Sequence, residues 1–229
     1  MTLREAISGF LAHAGQNNSS RNQPPEACAR ALEFLTAYFA PEMALREITP
    51  SALRDFLSRW YVENAAPESN AISASIAQSL EAFFRWAEQA RHLDDVEQHL
   101  QVLAELQRSL PRALEIADRL AERLAERGGA FTFPEFLTSF EAGGRSQYDL
   151  DAPGEAGAIE GYFSITRIEG AMVEAQEMIS DEIVRPIIFP PDVASLLMPN
   201  FILNLELVRK KGGWQIAACG FAYPPGTEM

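Results

Sequence analysis

Through roughly the first 130 positions, apolar residues recur at intervals of three and four; beyond Ala158 they alternate with polar ones and many are β-branched. The first pattern predicts helices and the second predicts strands. Thr2 caps a first helix through about His13, with Leu3, Ile7, Phe10 and Leu11 on one face. After a polar loop, Pro25 opens a helix carrying Cys28, Ala31, Leu32, Leu35 and Phe39. Thr49-Pro50 is a start signal, because a capping hydroxyl precedes a proline whose missing N–H is not needed there. That helix carries Leu53, Phe56, Leu57, Trp60 and Tyr61, and a fourth carries Ile72, Ile76, Leu80, Phe83, Phe84 and Trp86. From Asp94 to Arg127 a single stripe runs through Val96, Leu100, Leu103, Leu106, Leu110, Leu114, Ala117, Leu120 and Leu124. Pro111 interrupts it, so the segment is one kinked helix or two in succession. Gly128-Gly129 ends it.

Past that point a short helix is expected from Pro134 to Glu141. Strands are expected around Phe163–Ile168, Met172–Ala175, Ile183–Phe189, Phe201–Arg209 and Trp214–Tyr223, with a small helical piece at Asp192–Leu197. Lys210-Lys211-Gly212-Gly213 reads as the turn joining the last two strands. The expected fold class is α+β: a helical bundle over residues 1–129, followed by a small β-barrel-like domain over residues 130–229.

Nearly half of the 229 residues are apolar, enough for a core and outside the range of disordered chains. No apolar run reaches the ~18 residues that span a bilayer. The amino end lacks a basic stretch followed by an apolar run, so a cytoplasmic location without membrane association is expected. Cys28 and Cys219 stand far apart, carry neither a disulfide framework nor zinc spacing, and are expected as buried small side chains. The net charge is −13, divided as −2 over residues 1–92, −3 over 93–129 and −8 over 130–229. Acidity of this kind repels nucleic acid and anionic membranes.

The stretch Leu45-Arg46-Glu47-Ile48-Thr49-Pro50-Ser51-Ala52-Leu53-Arg54-Asp55-Phe56-Leu57, with Ser79-Leu80-Glu81-Ala82-Phe83-Phe84-Arg85-Trp86-Ala87, resembles the N-terminal helical domain of phage integrases and other tyrosine recombinases. The resemblance covers about residues 1–92 and rests on helix starts and aromatic core positions. It implies a helical module of a kind that clamps DNA beside a separate catalytic domain. That family's chemistry needs a tyrosine, two arginines and a histidine three residues before one of them. Residues 100–229 contain no histidine, and His13, His92 and His99 are followed at that spacing by Gln16, Asp95 and Val102. No strand-transfer chemistry is carried over.

Three constellations could carry chemistry. Asp149, Asp151, Gly154 and Glu160 fall at positions one, three, six and twelve of a calcium-loop skeleton. Pro153 at position five and a following strand oppose it, so an acidic linker is the expected reading. His92, Asp95 and His99 have spacings that would share a helical face and could hold zinc. Asp94 or Asp95 reads instead as a helix cap, which places His92 outside the helix. Arg209, Lys210 and Lys211 form a cationic hairpin tip, expected as a solvated turn that also protects a strand edge; with Arg54 and Arg85 it would be the DNA-contacting set if the recombinase resemblance extended to function. Phosphate-binding glycine loops, nucleophile elbows and dinucleotide fingerprints are absent from the sequence. The leading expectation is therefore a non-catalytic binding or adaptor protein, without a cofactor or resident metal, whose partner is another protein. A DNA-associated recombinase relative and a small hydrolase or metal-dependent enzyme on the β-domain are the alternatives.

Overall fold

Two threonines set the phase of the helical half. In a computed structural model of the chain, which describes residues 1–16, 25–65, 70–126 and 157–229, the Glu5 amide donates to Thr2 Oγ1 (3.2 Å) and the Thr2 amide to Glu5 Oε2 (2.8 Å). This reciprocal box starts α1 (Leu3–Gln16). Thr49 Oγ1 accepts from the Ala52 amide at 3.1 Å, with Pro50 in the first turn of α3 (Pro50–Asp55). Between them lie α2 (Pro25–Tyr38) and a 3₁₀ turn, Leu45–Glu47. A π turn at Phe56–Trp60 then leads from α3 into α4 (Tyr61–Ala65). α5 (Asn70–Gln89) and α6 (Glu97–Glu126) follow. α6 is continuous through Pro111, so the two-helix alternative falls away.

By its contacts the chain forms two units, Met1–Pro111 with Thr227–Met229, and Arg112–Gly226. The predicted division at Gly128-Gly129 and the predicted helix Pro134–Glu141 lie outside the described residues. In the first unit the rings of Phe10, Phe83 and Trp86 gather, with Phe10 5.6 Å from Phe83 and 5.7 Å from Trp86. The buried face of α1 is Leu3, Ala6 and Phe10, whereas Leu11 is exposed. Leu11 was expected on that face, but it stands about 100° round the helix from Phe10 and meets water.

The second unit contains a mixed five-stranded sheet, so with the helices the chain is α+β. Its strands are β1 (Ala158–Glu169), β2 (Met172–Glu177), β3 (Ile183–Ile188), β4 (Ile202–Lys210) and β5 (Gly213–Tyr223), with a one-turn helix α7 (Pro191–Ala194) before β4. Pairing runs β1-β2-β3-β5-β4 and returns to β1. All pairings are antiparallel except β3 with β5, which is parallel and holds only Ile187↔Trp214 and Ile188↔Gln215. Phe163, Ile165, Val173, Ala175, Val184, Ile187, Leu203, Leu205 and Leu207 form the core, together with Ala113, Ile116 and Leu120 from the second half of α6. Arg119 and Arg123, one helical turn apart, both reach the Asp192 carboxylate of α7 (3.9 and 3.3 Å).

Candidate functional site

Proline cannot donate to a ladder, and inside a strand it is confined to edges and bulges. Pro186 obeys this. On β2, Val173 pairs with Ile187 and Ala175 with Val184, so Glu174 alone faces both Arg185 and Pro186. On the other side, Ile165 pairs with Ala175 and Arg167 with Glu174, which leaves Thr166 as an extra residue of β1. Both neighbours of β2 therefore bulge beside the same residue. A groove of about 330 Å³ lies here, lined by Arg167, Glu169, Met172, Val173, Glu174, Arg185 and Pro186.

Glu174 organises the groove. Its Oε2 accepts from Arg185 Nη1 at 2.9 Å, and its Oε1 from the Thr166 hydroxyl at 3.2 Å. Arg167 pairs with Glu169 across the groove's other side. The four charges thus neutralise one another in pairs, beside the apolar parts of Met172 and Pro186.

The surface continues from the groove along the β2–β3 hairpin. Among the described residues eight large apolar side chains are exposed, and five of them, Met172, Met178, Ile179, Ile183 and Ile188, fall between Met172 and Ile188. Met172 and Ile188 are directly paired at one end. At the other end Ile179, 86% exposed, sits in the turn. The turn itself is held by Glu177, whose Oε2 accepts from the amides of Ile179 (3.0 Å) and Ser180 (2.6 Å). These backbone donors hold its carboxyl below the usual range. Gly161 leaves the space for this carboxylate, since a Cβ there would come within 2.9 Å of Glu177 Oε1.

The residues singled out in the sequence take other places. Asp149 and Asp151 lie outside the described residues, and Glu160 stands on β1 opposite Glu206 of β4. Burial raises the Glu206 carboxyl, and the Glu160 charge adds to it. The three proposed zinc ligands have separate structural roles. Asp95 Oδ1 accepts from the Glu97 amide at 3.0 Å and caps α6, and His92 leans on Trp86 at 5.3 Å. His99 is buried against Phe84 (4.9 Å), its Nε2 2.7 Å from the Ile48 carbonyl oxygen. Nε2 therefore carries the proton, and the buried Nδ1 has no hydrogen-bond partner among the described residues. No three His, Cys, Asp or Glu side chains of the described residues come together as an ion-binding group.

Arg54 pairs with Glu105, and Arg85 with Glu81 at 2.8 Å. Arg209 lies over the Trp214 ring, 5.1 Å from its centre, beside Lys210 and Lys211 at the β4–β5 turn. The cysteines are half-buried rather than fully buried. Burial pushes the Cys219 thiol up to about 12 and raises that of Cys28, the opposite of an activated nucleophile. No described helix is long and apolar enough to cross a membrane.

The groove residues were missed by motif reading because no motif contains them. The usable signal was Pro186 inside an otherwise strand-like run, flanked by isoleucines on both faces. No family model, curated protein or solved structure matches this chain.

Proposed function

We propose that this is a non-catalytic binding protein whose contact surface is the outer face of the β2–β3 hairpin with the groove beside Glu174. The observation that carries the reading is the gathering of five exposed Met and Ile side chains within one hairpin. Scattered exposed apolar residues need no explanation, but five of the eight among the described residues gathered on one hairpin beside charged groups favour a protein contact. Methionine suits such a surface, because its flexible thioether adapts to a partner's shape. The paired arginines and carboxylates give the rim polar groups that can exchange partners on docking without leaving a bare charge. In this reading the helices form a bundle, the closed sheet is a small barrel, and the hairpin projects the contact face. The protonated thiols and the scattered histidines lend no support to the hydrolase alternative, and the carboxylate partners of Arg54 and Arg85 weigh against the DNA-associated one.

Photo-crosslinking tests the reading. A photoreactive residue replacing Ile179 should yield a discrete adduct with another protein in cells of the source organism, and one replacing the exposed Gln101 should not. Equal labelling from both positions, or none from position 179, would overturn it.

A further inference from the structure

The charges along this hairpin are unbalanced. Between Met172 and Ile188 stand Glu174, Glu177, Asp181 and Glu182 against the single cation Arg185. Arg185 is engaged by Glu174, and Glu177 is turned onto its own turn's amides. Asp181 accepts from Gln176 Nε2 at 3.1 Å yet remains exposed, as does Glu182, next to Ile183. At the turn end of the hairpin an approaching chain thus meets Ile179 and Ile183 beside two carboxylates, on a protein of net charge −13. Complementary charge steers encounter and selects among partners of equal apolar character.

The dimensions favour an extended occupant. From Ile183 to Ile188 is five steps of strand, about 17 Å at ~3.3 Å per residue. Beyond the two pairs at Ile187 and Ile188, β3 has no β5 partner, because β5 begins at Gly213. Gly213 lies so close that a Cβ on it would come within 2.6 Å of the Pro186 carbonyl oxygen. The Ile183–Arg185 stretch therefore projects past the start of β5, and extended chains dock at such strand edges.

We propose that the occupant is an extended segment of a partner protein, about six residues long. It docks along the open edge at Ile183–Arg185, its apolar side chains cover Ile179 and Ile183, and its lysines or arginines meet Asp181 and Glu182. This rests on the docking face described above and adds the chemistry of what docks there. The −13 charge works against a second copy of this chain as the occupant.

The test uses the full chain and three fluorescently labelled peptides that share the core Val-Thr-Val-Thr-Val. They carry two lysines, two glutamates or two serines at each end. Anisotropy titrations should show saturable binding of the lysine peptide at least tenfold tighter than the serine peptide, and none of the glutamate peptide. The lysine advantage should vanish in the double variant Asp181→Asn/Glu182→Gln. Asn suits the left-handed backbone of position 181 (φ 59°), so this variant keeps the turn. Ile183→Thr, at an exposed strand position, should weaken the lysine and serine peptides by the same factor. If the glutamate peptide binds as well as the lysine peptide, or the advantage survives the double variant, the basic partner is overturned while crosslinking from position 179 still stands. If sedimentation shows a dimer that Ile183→Lys dissolves, the face joins two copies and the proposal is overturned outright.

Discussion

Arg185 and Glu174 close an ion pair from β3 to β2, Nη1 to Oε2 2.9 Å, at the point where the strands on both sides of Glu174 gain a residue. The pair shapes the groove more than it stabilises the fold. The arginine side chain is 70% exposed and the carboxylate 22%, so most of the Coulomb attraction is screened.

Glu174→Gln should therefore cost no more than about 1 kcal/mol, the upper range of exposed pairs. Urea unfolding followed by circular dichroism measures this. A loss above about 3 kcal/mol would mean that the pair behaves as a buried one.

The opposed carboxylates Glu160 and Glu206 predict the contrary sign. Burial first, and then the Glu160 charge, raise the Glu206 carboxyl above its ordinary value. The ionised form is thus disfavoured in the folded protein, and stability is lost as pH rises through the raised folded value. Glu206→Gln should be more stable than the parent at pH 7, and the difference should shrink to nothing below the ordinary carboxylate range. Thermal melts at a series of pH values would show it, and a destabilised variant at pH 7 would contradict it.

Tyr38 makes a parallel case at high pH. Desolvation, and next the 2.5 Å hydrogen bond to Asp55, push its hydroxyl up to about 12. The stabilising effect of the protonated phenol is complete below the ordinary tyrosine value and is lost as pH climbs from there through about 12. Across that window the parent should lose stability faster than Tyr38→Phe. Ultraviolet titration should also show the late-ionising absorbance falling by one tyrosine in Tyr38→Phe, and a late step of unchanged size in that variant would contradict the assignment.

Duplex DNA should not bind at about 150 mM salt, the physiological range. A useful grip takes on the order of six to ten phosphate contacts, and Arg54 and Arg85 already have the carboxylate partners Glu105 and Glu81. Gel-shift titration checks this. A submicromolar, salt-sensitive complex lost in Arg54→Ala/Arg85→Ala would favour the DNA-associated reading instead.

Local chemistry made much of the fold readable in advance. Thr2 with Glu5, Thr49 with Pro50, and Asp95 start helices through bonds to amides two or three residues away, so nothing distant has to be known. The turn expected at Lys210–Gly213 joins β4 and β5, and the helical piece expected at Asp192–Leu197 is a single turn, Pro191–Ala194. Pro111 was ambiguous because its cost to a helix is offset only by packing along both flanks, which the sequence does not display.

What the sequence determined by itself was the succession of helices and then strands among the described residues, the acidity, and the lack of any known catalytic motif. Tertiary structure decided which apolar residues face water. Met172, Ile183 and Ile188 have the composition of core residues, and the register of the paired strands leaves them exposed. It also decided that Thr166, Arg185 and the Glu174 carboxylate meet, since each bulge is defined by a partner strand and not by the residues within it. His99 shows the same division. Grouped with His92 and Asp95 it read as part of a solvated or metal-binding polar face, and packing on Phe84 with a bond to the Ile48 carbonyl makes it a buried strut instead. Periodicity reports the face of an element, whereas burial depends on what the rest of the chain brings against that face.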